Sequence, residues 1–216
     1  VAASGLSGAQ VESGPRITVR VFDYAEVQQK TLSSGVAEAR RIFQEAGIET
    51  DWVACPMGTV VEKSAPVCGG RQGSADINMK ILPPSMATGF GLRWQALGFA
   101  ASSPIPGAGS DAWVFYDRVG ELARFRIADR GLILGTAMAH EIGHLLLGLR
   151  PHAPSGIMGG KWQRKELGLV AQGHLLFTAE ESRQMRNAVR TRPRQAAVTE
   201  RHSVALSQSS LVGKGE

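Results

Sequence analysis

Short apolar segments and one amphipathic segment alternate in the first part of the chain. Residues 17–22 and 50–55 are rich in β-branched residues, and they predict two strands. Residues 29–46, between them, predict a helix that ends at Gly47. Its apolar positions share one face at helical spacing, at Leu32, Val36, Ala39, Phe43 and Ala46. A strand, a helix and a strand in this order favour a parallel pair joined by a crossover.

Three further strands are predicted in the middle of the chain. Residues 76–82 carry three apolar side chains on one face, at Ile77, Met79 and Ile81. Residues 97–101 contain a glycine and precede two prolines, which suits a strand at the edge of a sheet. Residues 112–116 are nearly all apolar, as in a strand that is buried on both faces. The pattern predicts an α+β fold, α/β-type in its N-terminal part, with a twisted mixed sheet of about five strands.

The next predicted helix is strongly apolar and covers residues 130–147. Asp129 is suited to cap its N-terminus, and Gly148 is suited to end it in a left-handed conformation. Apolar residues lie on either side of the helix histidines, so this helix should be largely buried. Gly135 and Gly143 are expected to allow close packing against the sheet.

The segments around this helix show weaker patterns. Residues 117–129 are interpreted as a polar connector, and residues 149–176 have little clear periodicity. Thr178 and Glu181 form a capping-box pattern that starts a final helix, which runs to about Arg190. Its expected packing residues are Ala179, Met185, Ala188 and Val189.

The chemistry-bearing motif lies on the buried helix, where His140, Glu141 and His144 form the pattern His-Glu-x-x-His. Residues four apart lie on one helical face, so the two imidazoles can bind one ion. A catalytic zinc site uses three protein ligands and a water. His152, just after a break at Pro151, is the candidate third ligand. Glu141 can take a proton from the zinc-bound water, so the motif predicts a hydrolytic centre with one Zn²⁺ ion.

The order of elements and the motif resemble the catalytic domain of metzincins, a class of zinc peptidases, over residues 15–190. The residues that carry the resemblance are His140, Glu141, His144, Gly148, His152, Ile157 and Met158. Bacterial predicted peptidases share an almost identical His-Glu-Ile-Gly-His-Leu-Leu-Leu-Gly core. The resemblance implies a zinc-dependent endopeptidase, in which Met158 forms a methionine turn beneath the ligands.

Two features depart from the metzincin pattern. In that pattern the glycine and the third ligand follow the second histidine by three and six residues. Here Gly148 and His152 follow His144 by four and eight residues, so the loop must absorb two more residues. No tyrosine closely follows Met158, so the phenol that stabilises the oxyanion in some relatives has no counterpart here.

Several residues offer alternatives to this reading. Another zincin class takes its third ligand from a later helix, and Glu166 and Glu180 are the candidates for that role. His152 is favoured because it directly follows the helix break and imidazole suits zinc. His174 could instead complete a four-ligand structural site. The chain would then be a non-catalytic binding or scaffold domain with a structural or vestigial zinc site; another metal-dependent hydrolase on this scaffold is a third alternative.

Composition and charge add the remaining expectations. Net charge is +5, and the excess lies after residue 160, where ten Lys/Arg accompany five Asp/Glu. These basic residues are not interleaved with aromatics, so no nucleic-acid partner is predicted. No apolar run is long enough to span a bilayer. We expect a peptide or protein substrate, held along the edge strand at 97–101 by strand addition, and a monomer.

The ends of the chain and its two cysteines bear on localisation. Residues 1–14 predict a flexible lead-in, residues 15–190 a single zincin-type catalytic domain and residues 191–216 a disordered tail. Cys55 and Cys68 do not form a Cys-x-x-Cys pair, and a disulfide between them is favoured over two buried thiols. Because the sequence starts at Val1 rather than Met, we expect that an N-terminal segment was removed or left out. No signal peptide is visible in the sequence itself, and we expect a secreted or extracytoplasmic protein.

Overall fold

Five strands form one mixed sheet in the computed structural model, which describes residues 14–56, 68, 76–87, 96–102, 110–148 and 152–191. The strands are β1 (Arg16–Asp23), β2 (Glu49–Cys55), β3 (Asp76–Leu82), β4 (Gly98–Ser102) and β5 (Ser110–Phe115). Their order in the sheet is β2-β1-β3-β5-β4. All neighbours are parallel except β4 and β5, which are antiparallel. The structure confirms the predicted α+β class, the parallel pair β1/β2 and the edge position of β4 in this sheet.

Helices connect and cover the strands. Their bounds are α1 (Gln29–Glu45), α2 (Pro84–Ala87), α3 (Tyr116–Ala123), α4 (Arg130–Leu147), α5 (Arg164–Ala171) and α6 (Ala179–Thr191). Within the ranges given above, no helix has the length and apolar character needed to cross a membrane. Most of the predicted lead-in (residues 1–13) and nearly all of the predicted tail (residues 192–216) lie outside the described residues.

The core lies between one face of the sheet and the helices α1 and α4. Alternate residues of the central strands are fully buried in a single apolar cluster with these helices. Ile77, Met79 and Ile81 of β3 are completely buried there, which confirms the predicted face. Val19 of β1 pairs with Ile77, and Val114 of β5 pairs with Ile81, so the apolar rows continue across the sheet.

The helices α1 and α4 cross at two glycines. A Cβ on Gly135 would lie 2.3 Å from the carbonyl oxygen of Gly35 and 2.8 Å from Cβ of Glu38. Gly135 therefore packs against α1, and the expectation that it packs against the sheet is wrong. Leu32 and Val36, on the predicted apolar face of α1, are only half-buried where they pack against the core.

The second face of the sheet carries charged and aromatic pairs. Arg20 of β1 donates to Asp76 at 2.9 Å, and Lys80 of β3 pairs with Asp111 at 2.8 Å. Trp113 of β5 is only half-buried, with its ring stacked on Phe99 at a centroid distance of 4.2 Å. The expectation that β5 is buried on both faces therefore holds only in part.

Short helices are where the predicted elements differ most from the structure. Helix α3 occupies part of the predicted connector 117–129. It begins at Tyr116, which the sequence pattern places at the end of a strand. Tyr116, Val119, Leu122 and Ala123 form a short apolar stripe on α3, with Val119 fully buried and the other three packed against the core. Helix α5 lies in the stretch that shows little periodicity. The start of α6 is as predicted, but Ala179 is exposed rather than packed.

Candidate metal centre

Helix α4 presents the His-Glu-x-x-His residues from a well-defined frame. The Asp129 side chain accepts a hydrogen bond from the Gly131 amide at 2.8 Å, which confirms the predicted N-cap. Gly148 has φ +85°, and its amide donates to the His144 carbonyl at 3.0 Å. Only glycine adopts this left-handed conformation without strain, so Gly148 ends the helix one turn after His144.

The structure brings three imidazoles together. Ligand atoms of His140, His144 and His152 all lie within 4.8 Å of one another. The Nε2 atoms of His140 and His144 are 3.1 Å apart. Zinc with Zn–N bonds of about 2.0–2.1 Å would hold two tetrahedral nitrogens about 3.3 Å apart. The donor set and its spacing therefore fit a zinc ion. Three protein ligands leave one coordination position for water or substrate.

His140 has a hydrogen bond that orients its ring for ligation. Its Nδ1 lies 2.7 Å from the Ile157 carbonyl oxygen. A carbonyl only accepts, so Nδ1 carries the proton and the lone pair of Nε2 is free for a metal. This arrangement of a ligand histidine that donates to a backbone carbonyl is typical of zinc sites.

Burial also keeps the helix imidazoles neutral. Desolvation lowers the pKa of His140 to about 3, and it lowers the pKa of His144 to about 4. The neighbouring histidines act in the same direction, because like charges disfavour protonation. Both rings are therefore in the neutral form, with one nitrogen lone pair free, that binds metals at neutral pH.

Glu141 points away from bulk solvent and towards the edge of the sheet. Its side chain is 3% exposed, and desolvation raises the pKa of its carboxyl to about 8. A Cβ on Gly98 of β4 would lie 2.8 Å from Oε1 of Glu141 and 2.9 Å from its Cγ. The same Cβ would lie 2.1 Å from the Trp113 carbonyl oxygen. Glycine at position 98 thus makes room for the carboxyl beside the edge strand.

The loop after His152 closes on itself beneath the histidines. The Ala153 amide donates to the Met158 carbonyl at 2.9 Å, and Ala153 forms a parallel bridge with Gly159. Met158 is buried, and a Cβ on Gly143 would lie 2.7 Å from its Sδ atom. Gly143 therefore packs against Met158, and the expectation that it packs against the sheet is wrong.

The alternative ligands lie elsewhere. The three-histidine group excludes Glu166, Glu180 and His174 among the residues that the structure describes. The Gln163 amide donates to Glu166 at 2.9 Å and holds the pKa of that carboxyl below its usual range. Glu180 accepts from Gln184 at 2.6 Å, and His174 is exposed. A fourth histidine therefore does not close this group within the described ranges.

The two cysteines are bonded to each other and lie apart from the histidines. Cys55, at the end of β2, forms a disulfide with Cys68. Strand β2 is at one edge of the sheet and β4, beside Glu141, is at the other. The disulfide thus cross-links the chain at the β2 edge of the sheet, which is remote from the candidate metal centre.

Three residues at the site were not singled out by sequence reasoning. Trp162 contacts the His140 ring edge to face, with centroids 5.8 Å apart. A Cβ on Gly160 would lie 2.9 Å from Cγ of His152. The sequence marks Gly98 only as a sign of an edge strand, whereas the Trp113 carbonyl and the Glu141 side chain leave no room for a Cβ there. No local pattern in the sequence marks these contacts.

Comparison with known proteins adds a likeness to solved structures. Neither a protein-family model nor a curated protein matches the chain. Among similar solved structures is that of a zinc-dependent peptidase from Methanocorpusculum labreanum (strain Z). It shares 15% sequence identity, with a TM-score of 0.46 over 77% of this chain and 99% of that chain. The chemistry of the site is therefore read from its own residues.

Proposed function

We propose that this protein is a zinc-dependent endopeptidase of metzincin type, with His140, His144 and His152 as ligands of one ion. The observation that carries the proposal is the convergence of these three imidazoles within 4.8 Å, next to a buried carboxyl in the same helix. Three imidazoles match the donor set of catalytic rather than structural zinc sites. A carboxyl beside a ligand serves no structural need, but it is the group that hydrolysis requires.

Glu141 is the proposed general base. Zinc, when bound, lowers the pKa of a coordinated water and polarises a carbonyl oxygen. Glu141 accepts the proton of the attacking water and returns it to the leaving amine. Burial alone favours the protonated carboxyl, but a bound dication would favour the carboxylate that a base requires, and the buried site keeps the proton between the reacting groups.

The substrate is proposed to bind as an extended chain along β4. Within the described residues, β4 is hydrogen-bonded in the sheet to β5 alone. An extended peptide would join this edge of the sheet as a further strand. Gly98 of β4 touches the Glu141 side chain, so a peptide on this edge passes beside the proposed base.

Met158 and the disulfide support the remaining parts of the proposal. Met158 is proposed as the methionine turn, because it is buried against α4 at Gly143, between the two helix ligands. The Cys55–Cys68 disulfide supports an extracytoplasmic location, since disulfides persist in oxidising compartments. A monomer is proposed, with the described residues forming part of one catalytic domain.

A hydrolysis assay with metal control tests the proposal. The zinc-loaded protein is expected to cleave a mixed library of unfolded peptides and to lose that activity when a chelator removes zinc. Restoration of activity by added Zn²⁺ is the supporting result. Zinc bound at one ion per chain without any hydrolysis would instead support the scaffold alternative.

A further inference from the structure

We propose that Gly160 and Trp162 are positioning residues of the candidate metal centre, which hold the rings of His152 and His140 where they can share one ion. The inference rests on the proposed function, because it concerns the same histidines. It assigns a task to the segment after Met158, which has no tyrosine at this place and which the proposed reaction does not otherwise use.

Gly160 fixes the place of the His152 ring. A Cβ at position 160 would lie 2.9 Å from Cγ, 3.1 Å from Cβ and 3.1 Å from Nδ1 of His152. The backbone of Gly160 does not adopt a left-handed φ, so a larger residue is excluded by this contact and not by conformation. Any side chain at this position must displace the imidazole.

His152 depends on such contacts more than the other ligands do. It is exposed, and its ring makes no hydrogen bond to the described part of the chain. Within the described residues its ring lies against those of His140 and His144, with centroid distances of 5.2 Å and 5.0 Å. The backbone at Gly160 therefore supplies the surface that keeps this ring turned towards the other two.

Trp162 fixes the His140 ring from another side. The two rings meet at 90°, with centroids 5.8 Å apart, and the indole is 9% exposed. His152 stacks on His140 at an interplanar angle of 21°. The His140 ring is thus bounded by Trp162 and His152, while the Ile157 carbonyl holds its Nδ1.

One closed loop places both residues. The amide of Ala153 donates a hydrogen bond to the Met158 carbonyl, and the amide of Gly159 donates to the Gly156 carbonyl at 3.0 Å. These bonds bring the chain just after His152 back to the start of the 160–162 segment. The longer spacing between His144 and His152 is therefore compatible with a fixed third ligand, because the ring is placed from its C-terminal side.

Gly160→Ala is the most direct test, with Gly168→Ala as the matched control. A Cβ at Gly168 in α5 meets nothing within 4 Å, so the control adds the same methyl without a clash. Zn²⁺ affinity by chelator competition is expected to fall about 10- to 100-fold in Gly160→Ala, as for lost outer-shell partners. The visible absorption of the Co²⁺-substituted protein should change with it, because that spectrum reports ligand geometry.

Trp162 variants test the second half of the proposal. Trp162→Ala should weaken Zn²⁺ binding and alter the Co²⁺ spectrum. Trp162→Phe keeps an aromatic face, so its Zn²⁺ affinity and Co²⁺ spectrum should be close to those of the unsubstituted protein. Trp52→Ala removes a half-buried indole on β2, at the far edge of the sheet, and should change neither. Circular dichroism of the metal-free proteins establishes that each variant is folded; if Trp162→Ala is not, Gly160→Ala decides.

Folded Gly160→Ala protein with unchanged zinc affinity and an unchanged Co²⁺ spectrum overturns the proposal. That result leaves the zinc centre and the hydrolysis of the unsubstituted protein intact. A failure of the proposed function has a different signature, because the unsubstituted protein itself would then bind no zinc or cleave no peptide.

Discussion

Glu141 lies directly against Gly98, with Oε1 2.8 Å from where a Cβ on that glycine would stand. This contact joins the His-Glu-x-x-His helix to the edge strand of the sheet. It places the proposed base and the proposed substrate-binding edge side by side, although the two residues are 43 positions apart in the chain.

Gly98→Ala should therefore impair both stability and hydrolysis. The new methyl would press on Glu141 and on the Trp113 carbonyl, and overpacking of this kind costs about 1–3 kcal/mol. Urea unfolding and peptide turnover are the measurements. Gly120→Ala is the control, because its Cβ would meet Arg130 at an ordinary 3.7 Å. Equal turnover in Gly98→Ala and the unsubstituted protein would show that this contact is unimportant.

Glu141→Gln should stabilise the metal-free protein at alkaline pH. Burial raises the pKa of the Glu141 carboxyl in the folded protein to about 8, above the ordinary value of 4.5. The protonated carboxyl therefore contributes stability that is complete below pH 4.5 and is lost as the pH rises through 8. Glutamine removes this loss. The difference in unfolding free energy between variant and parent should grow from pH 5 to pH 8, by on the order of a few kcal/mol.

The control for that experiment is the zinc-loaded protein. A nearby dication stabilises the carboxylate, so the advantage of glutamine at pH 8 should shrink when zinc is bound. A difference that is flat between pH 5 and pH 8 in the presence of chelator contradicts the burial argument for Glu141.

Loss of the Cys55–Cys68 disulfide should lower stability without affecting zinc binding. A bridge that closes a loop of this length contributes about 3 kcal/mol on the chain-entropy model. The paired Cys55→Ala and Cys68→Ala variant should unfold at lower urea, with unchanged zinc stoichiometry, because β2 is at the edge opposite β4. Zinc loss in the folded variant would mean that the two sites are coupled.

His152→Ala should weaken zinc binding more than the roughly 10- to 100-fold expected for an outer-shell change, because it removes a ligand. His174→Ala is the matched control, since His174 is exposed and outside the three-histidine group. Zinc affinity by chelator competition is the measurement. An unchanged affinity in His152→Ala would assign the third ligand to another residue.

Local rules were sufficient for the frame of the site. The cap at Asp129, the left-handed stop at Gly148 and the capping box of Thr178 and Glu181 each involve residues within a few positions of one another. The alternation of Ile77, Met79 and Ile81 also identified the buried face of β3. Such features depend on neighbouring residues, so the sequence alone predicts them.

Contacts between distant segments could not be predicted in this way. Gly135 was assigned to the sheet, but it meets Gly35 of α1, because helix packing decides which side of a glycine is approached. Trp162 and Gly160 lie in a segment without periodicity, and the closed loop beneath the histidines is what brings them into contact with the histidine rings. Strand order likewise depends on pairing that no single segment encodes.

The central claim, that Glu141 acts as the base beside a three-histidine zinc site, is tested most directly by peptide turnover of zinc-loaded Glu141→Gln protein. Glutamine keeps the shape of the side chain but cannot accept the proton. The expected result is the same zinc content as the unsubstituted protein, with hydrolysis reduced by at least the 10²-fold associated with general base catalysis. Full turnover at equal zinc content would contradict the account.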